Sequence, residues 1–363
     1  MPKVILVSTF PLPYPKIGSW TNMYRNYFES GQNQIDTIVC EAPENRFDGV
    51  KYALVKNTFW SKIRKKLQYY RVNYVDALLG EIKPNERYVI QFVDNYVLAR
   101  HFHEKLVLKG LRQNCHVQFF YHGYEPFVPA SGASGFFKEV DELILLTNES
   151  YKAHLAYYTV FPVRVSILYN GIDTSKFSKV NADEKHKIRE DLGLKGDKVF
   201  VWCSQDRPKK GLAIVLDAWK SVSAKYPGHE LLIIGTHKRG DFDNVRFVGK
   251  IPNDELPKYF QASDCYLFPT LCHEGFGLTL IEALNCGCHC IASEQGGVPE
   301  VLQFGKLGRL IEKPNFVSEW QTAMEDFIEG KDKPIVVENP VYTLQEWVKS
   351  MNVIIANAKN KLS

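Results

Sequence analysis

Apolar residues gather in short, unbroken runs rather than alternating with polar ones. The runs lie at residues 3 to 8, 36 to 40, 88 to 93, 116 to 121 and 142 to 147, each followed by a longer stretch with helical periodicity. Continuous apolar runs mark strands covered on both faces, as in a parallel sheet, and alternation with helices marks crossover units. After a polar, charged stretch from about 174 to 196 the pattern restarts, with runs at 198 to 203 (KVFVWC), 230 to 235 (ELLIIG), 245 to 248 (VRFV), 264 to 269 (DCYLFP) and 288 to 292 (CHCIA). This predicts two α/β units, residues 1–174 and 175–341. The final segment, 342–363, with Trp347, Val348, Met351, Val353 and Ile354, predicts an amphipathic helix packing back on the first unit.

Most runs end in Gly, Pro, Ser or Asp, at the carboxyl ends of strands where open parallel sheets bind ligands. Length supports the division, since 363 residues exceed one comfortable core. Formal net charge is +4, far from that of a protein that coats nucleic acid, so no nucleic-acid partner is expected. Met1 leads directly into the apolar run Val4 to Val7, with no signal-peptide pattern and no long apolar span, which predicts a cytoplasmic protein. The eight cysteines include no CxxC pair, and the CxCxC run Cys286, Cys288, Cys290 fits no common zinc spacing, so neither a metal site nor any other cofactor is expected.

One stretch breaks the rhythm. Lys62, Arg64, Lys65, Lys66 and Arg71 crowd residues 60–71 among Trp60, Ile63, Leu67, Tyr69 and Tyr70. It suits peripheral contact with an anionic membrane at its inner face, or a lipid-linked substrate; it equally suits a solvated helix face.

The densest chemistry runs from Pro269 to Glu300, PTLCHEGFGLTLIEALNCGCHCIASEQGGVPE. A strand ends at Pro269, Glu274-Gly275-Phe276-Gly277 forms a loop, and Leu278-Thr279 begin a helix that ends near Gly287. Glycines ahead of a helix let backbone N–H groups and the positive dipole end approach an anion such as a diphosphate. Glu274 and Glu282 flank that point at different depths, and carboxylates repel phosphate, so they suit hydroxyl groups on either side of it.

Glu274 and Glu282, eight apart around Gly275-Phe276-Gly277, resemble the E-x7-E motif of retaining glycosyltransferases of family four, which have the GT-B fold of two Rossmann-like domains facing across a cleft. Gly296 to Glu300 (GGVPE) is similar to that family's next signature, and Asn170-Gly171-Ile172-Asp173 with Phe177 to its interdomain element. The resemblance implies that Glu274 meets the donor sugar and Glu282 the ribose. Gly275, Phe276, Gly277, Leu278 and Thr279 line the donor. Arg207-Pro208-Lys209-Lys210-Gly211 resembles the element whose arginine and lysine stabilise the leaving diphosphate; Lys210 matches in register, while the family often has arginine where this chain has Gln205. In the first unit, Gly18 and Ser19 of the loop PLPYPKIGS resemble the glycine-rich loop near donor phosphate and acceptor, and His122 the cleft histidine. Gly249, Lys250 and Ile251 resemble the base loop.

The resemblance further implies transfer of a hexose-type sugar with retention and without metal, from a nucleotide-sugar co-substrate, UDP-linked in the first instance and GDP-linked as the alternative. The expected cytoplasmic location and the basic, aromatic stretch after Trp60 predict a glycan or lipid-linked acceptor in surface polysaccharide or lipopolysaccharide assembly. A nucleotide-sugar epimerase of the same architecture, or a catalytically silent partner subunit, are the competing readings.

Overall fold

The computed structural model describes residues 1–15, 18–56, 71–237, 240–332, 335 and 337–363. The chain divides into two compact units, the first comprising Met1–Asn170 and Gln345–Ser363 and the second Gly171–Leu344. The division falls four residues before the break expected at 174/175.

The first unit is built on a seven-stranded sheet in the order β3-β2-β1-β4-β5-β6-β7, every neighbouring pair parallel. The strands are β1 Lys3–Val7, β2 Thr37–Cys40, β3 Lys51–Leu54, β4 Tyr88–Val93, β5 Cys115–Tyr121, β6 Glu142–Leu145 and β7 Arg164–Ile167. Every residue of β2, β4 and β6 is buried, the expected result of covering both faces with crossover helices. β3, β7 and, in the second unit, β13 (Arg309–Ile311), none of them prominent in the sequence, are all edge strands. Each opens on a charged residue and leaves part of its length short of full burial, so no continuous apolar run announces it.

The helix Leu344–Asn360 returns to the first unit and buries Trp347, Val348, Met351, Ile355 and Ala358 there. Trp347 sits edge-on to Tyr24 and Tyr27 with ring centroids 6.1 and 5.4 Å away. Beneath it a polar ladder crosses the sheet, Gln91 Nε2 donating to Gln118 Oε1 at 3.1 Å and Gln118 Nε2 to Glu142 Oε2 at 2.8 Å.

The second unit has a six-stranded parallel sheet in the order β10-β9-β8-β11-β12-β13. Its strands are β8 Val199–Cys203, β9 Glu230–Ile234, β10 Val245–Gly249, β11 Cys265–Phe268, β12 His289–Ser293 and β13 Arg309–Ile311. Three tryptophans, Trp202, Trp219 and Trp320, fill the core on and around this sheet, and each indole N–H finds a backbone carbonyl: Lys210 O at 3.2 Å, Asp243 O at 3.0 Å and Pro314 O at 2.9 Å. A buried indole without such a partner would lose the desolvation energy of its N–H.

In each sheet the order reverses at one place, between β1 and β4 in the first unit and between β8 and β11 in the second. There the connections leave on opposite sides and open a crevice at the strands' carboxyl ends.

Candidate active site

In the second unit, the loops that follow β8 and β11 meet at this switch point. After β8, Pro208–Lys210 form a 3₁₀ turn, and Gly211 ends it at φ +71° while capping the helix Leu212–Lys225. A Cβ at Gly211 would lie 1.9 Å from the Pro269 carbonyl oxygen, so only glycine lets the two loops touch. Leu271 N–H donates to Lys209 O at 2.8 Å and stitches them together. With its carbonyl held by Trp202, Lys210 turns its ammonium onto the Glu274 carboxylate, an ion pair with side-chain exposures of 19% and 25%.

Glu274 is fixed from its other side by the GGVPE turn. Gly297 N–H donates to Glu274 O at 2.8 Å, and Gly296 is at φ +64° with its missing Cβ 2.5 Å from the same oxygen. The loop then buries Phe276 edge-on against Tyr342, ring centroids 5.3 Å apart. Gly277, at φ +85°, caps the helix Leu278–Asn285 with no side chain to satisfy its first N–H groups. Leu280 N–H turns back on Gly277 O at 3.0 Å, while the N–H groups of Leu278 and Thr279 have no acceptor among the described residues and carry the positive end of the helix dipole. Thr279 Oγ1 lies 2.8 Å from the buried Tyr266 hydroxyl, which ties the helix start to β11.

One turn further in, Glu282 is half-buried near Cys203 and Tyr266, and it makes no side-chain hydrogen bond among the described residues. Burial pushes its carboxyl up to about 7. A desolvated carboxylate with vacant acceptor sites is suited to hydroxyl donors.

The adjoining strand ends continue the row. Gly235 N–H donates to Gly249 O at 2.7 Å, and Gly235 packs so closely that a Cβ would lie 2.1 Å from Ser204 O. Gly249 itself is at φ +84° with open space around it, and Lys250 is exposed beside Ile251. Arg207 and Gln205 are both exposed, and the Arg207 side chain makes no hydrogen bond or ion pair among the described residues, so only Lys210 of that element engages Glu274.

In the first unit, Gly18 caps the helix Ser19–Glu29, its carbonyl accepting from Asn22 N–H at 3.1 Å and Thr21 Oγ1 at 3.1 Å. His122, just past β5, is held by a residue the sequence reading passed over. Asp94, at the end of β4 and at φ +52°, accepts the His122 backbone N–H at 2.8 Å and lies 3.3 Å from Nδ1. A carboxylate only accepts, so Nδ1 carries the proton and Nε2 presents its lone pair. Position at a strand's carboxyl end was the available signal for Asp94. The same signal marks Asp206, which accepts from Thr236 Oγ1 at 2.8 Å in the loops after β8 and β9.

Cys286, Cys288 and Cys290 are all buried, and burial pushes the Cys288 thiol up to about 12, away from the thiolate that metals bind. The basic stretch lies outside the described residues apart from Arg71, the first residue of the helix Arg71–Leu79. No helix among the described residues is long and apolar enough to cross a membrane.

The family profile of glycosyl transferases group 1 matches residues 184–339, which span Lys210, Gly249, Glu274, Glu282 and the GGVPE turn. That match lies within the second unit, and the two doubly wound sheets have the GT-B fold of the solved structures they resemble. A D-inositol 3-phosphate glycosyltransferase from Mycobacterium ulcerans is 26% identical over 221 residues, covering 56% of this chain and 46% of that protein. A GDP-mannose-dependent alpha-(1-6)-phosphatidylinositol monomannoside mannosyltransferase from Mycolicibacterium smegmatis is 31% identical over 176 residues, covering 44% and 45%. The chain thus spans under half the length of these relatives. Among solved structures, a sucrose-phosphate synthase from Thermosynechococcus elongatus superposes with a TM-score of 0.74 at 18% identity over 99% of this chain and 100% of that one, a likeness of fold.

Proposed function

We propose that the chain is a retaining glycosyltransferase that moves a hexosyl unit from a nucleotide sugar to an acceptor hydroxyl without a metal ion. The observation that carries this reading is the convergence, in one crevice of the second unit, of the Lys210–Glu274 ion pair, the glycine-led start of the helix Leu278–Asn285 and the desolvated carboxyl of Glu282. A diphosphate at the helix start gains the free N–H groups and the Lys210 ammonium. Glu274 then exchanges part of its contact with Lys210 for hydroxyls of the donor sugar, and Glu282 accepts from the ribose.

Transfer breaks the bond between the anomeric carbon and the phosphate oxygen, and the electron pair leaves with the diphosphate. Lys210 and the N–H groups stabilise the charge that grows there. The acceptor hydroxyl attacks from the same face and passes its proton to the departing phosphate oxygen, which retains configuration. Fixed cationic groups do what a metal ion does elsewhere. The donor base is uracil or guanine: the sequence reading favours UDP-sugars, while one relative's name specifies GDP-mannose. The acceptor is a glycan or a lipid-linked molecule, with membrane-face assembly supported by the basic composition of residues 60–71.

The test is thermal stabilisation by UDP-, GDP- and ADP-sugars, followed by acceptor-dependent release of the nucleoside diphosphate and NMR assignment of the product anomer. Stabilisation by one nucleotide class, release only with acceptor, and an α-product from an α-donor are expected. Donor conversion without acceptor, or an inverted product, refutes the proposal.

A further inference from the structure

The carboxyl edge of the first unit carries an aromatic shelf. Phe10, three residues past β1, is 39% exposed although it is a large apolar side chain. It is held that way: the Ser8 hydroxyl donates to Phe10 O at 2.6 Å and accepts Phe10 N–H at 3.2 Å, closing a tight turn. The loop beyond is pinned by Tyr52 Oη donating to Leu12 O at 3.0 Å and by the Arg25 guanidinium on Tyr14 O. Tyr14 and Trp20 join Phe10 at ring-centroid distances of 4.9 and 5.8 Å, and none of the three residues is fully buried. Burying them against one another or the core would have been the ordinary outcome for such residues. Hydrogen-bonded turns at Phe10, Leu12 and Tyr14 that keep such residues at the surface instead mark a binding face.

The shelf has a polar end. The Trp20 ring lies nearly parallel to the His122 imidazole, centroids 6.3 Å apart and 25° between planes, and Asp94 fixes the tautomer that leaves Nε2 as acceptor. Beside His122 lies a small recess lined in part by Tyr24, Asn170 and Trp347, and the Tyr24 hydroxyl is buried with no hydrogen-bond partner among the described residues. The surface therefore offers negative π-faces at one end and hydrogen-bonding groups at the other.

We propose that Phe10, Tyr14 and Trp20 form the acceptor subsite and that it takes an uncharged pyranose ring. In a pyranose the C–H groups on a ring face are polarised by neighbouring oxygens and match the negative face of an aromatic ring, while the hydroxyls project from the rim. With the C–H face on Trp20 and Phe10, one rim hydroxyl reaches His122 Nε2. An acyl chain would use the rings and leave His122 and Asp94 unmatched. The proposal rests on reading the chain as a glycosyltransferase and adds the chemical class of what it glycosylates.

Saturation-transfer NMR with methyl α-mannopyranoside and methyl α-glucopyranoside, each in the presence of UDP or GDP, tests it on the full chain. Wild type should transfer saturation to ring C–H protons. Trp20→Ala should lose about five-fold of that signal, Phe10→Ala should lose part of it, and Trp20→Phe should retain most of it. Phe10 is exposed enough for its variant to fold, and an unchanged melting temperature checks this. Equal pyranoside signals in wild type and Trp20→Ala, or no pyranoside signal in protein that binds the nucleotide, overturn the proposal. Failure of wild type to bind UDP, GDP and ADP alike strikes instead at the glycosyltransferase reading, while Trp20-dependent pyranoside binding would still uphold the shelf.

Discussion

Replacing Glu282 by Gln should make the free protein more stable at alkaline pH and its nucleotide complex weaker. Burial alone moves this carboxyl from an ordinary 4.5 to about 7, so the folded state disfavours the carboxylate. Each unit of such displacement corresponds to about 1.4 kcal/mol, giving an upper bound of about 3 kcal/mol against folding once Glu282 is ionised. Because the side chain is only half-buried, water relieves part of this, and about 2 kcal/mol is the working figure. The sign follows from proton binding. Below pH 4.5 the group is protonated in both states and contributes no difference; between 4.5 and 7 the folded state holds the proton the unfolded state has lost, so stability falls with rising pH; above 7 the penalty is constant. Gln carries no such penalty. The variant's melting temperature should therefore match wild type near pH 4 and exceed it by about 4 to 8 °C at pH 8, the conversion for a unit of this size. Nucleotide binding runs the other way if, as proposed, ribose hydroxyls donate to the carboxylate: wild-type affinity for UDP or GDP should strengthen from pH 6 to 8, and the Gln variant should bind more weakly with no such trend. Calorimetric melts across pH and titration calorimetry read both. A variant no more stable at pH 8 than at pH 4 relative to wild type refutes the buried-acid argument, and undiminished nucleotide affinity refutes the ribose contact.

Two further substitutions probe the crevice. Lys210→Ala should lower kcat by about 10² to 10³, the usual effect of removing one group that meets developing charge, with little change in acceptor KM; a change confined to acceptor KM contradicts its place on the diphosphate. Gly296→Ala forces a Cβ at φ +64° to within 2.5 Å of Glu274 O, so turnover should collapse while the melting temperature drops by only a few degrees; full activity would show that the GGVPE turn does not set the position of Glu274.

What the sequence made legible and what it hid have physical reasons. Central strands such as β4 (YVIQFV) and β8 (VFVWC) are covered on both faces, so their burial is written as unbroken apolar runs. Edge strands such as β3 (KYAL) and β7 (RVSI) are half solvated and carry no such mark. The glycines of the crevice were legible as motif members, but their necessity was not. That Gly211 admits the Pro269 carbonyl and Gly296 the Glu274 backbone depends on contacts between segments roughly 60 and 20 residues apart, which no local pattern encodes.

Asp94 was hidden for a related reason. Nothing near it in sequence distinguishes it from any polar residue at the end of a strand, and its meaning arises only because β4 and β5 are neighbours in register, Val93 beside Phe120. That pairing brings the residue after β4 level with the start of the loop after β5, so the Asp94 carboxylate reaches both the backbone and the ring of His122. The same logic joins Lys210 to Glu274 in the second unit: β8 and β11 are adjacent in space though 62 residues separate Cys203 from Cys265, and the loops at their ends meet because the strands do. Lys210 and Glu274 stand at the point where strand order reverses, where no crossover helix covers the strand ends, and Asp94 and His122 stand beside the corresponding point in the first unit, across β4 and β5. A parallel sheet wound in both directions thus supplies a crevice wherever it turns, and side chains placed one loop apart in space become partners there whatever their distance along the chain.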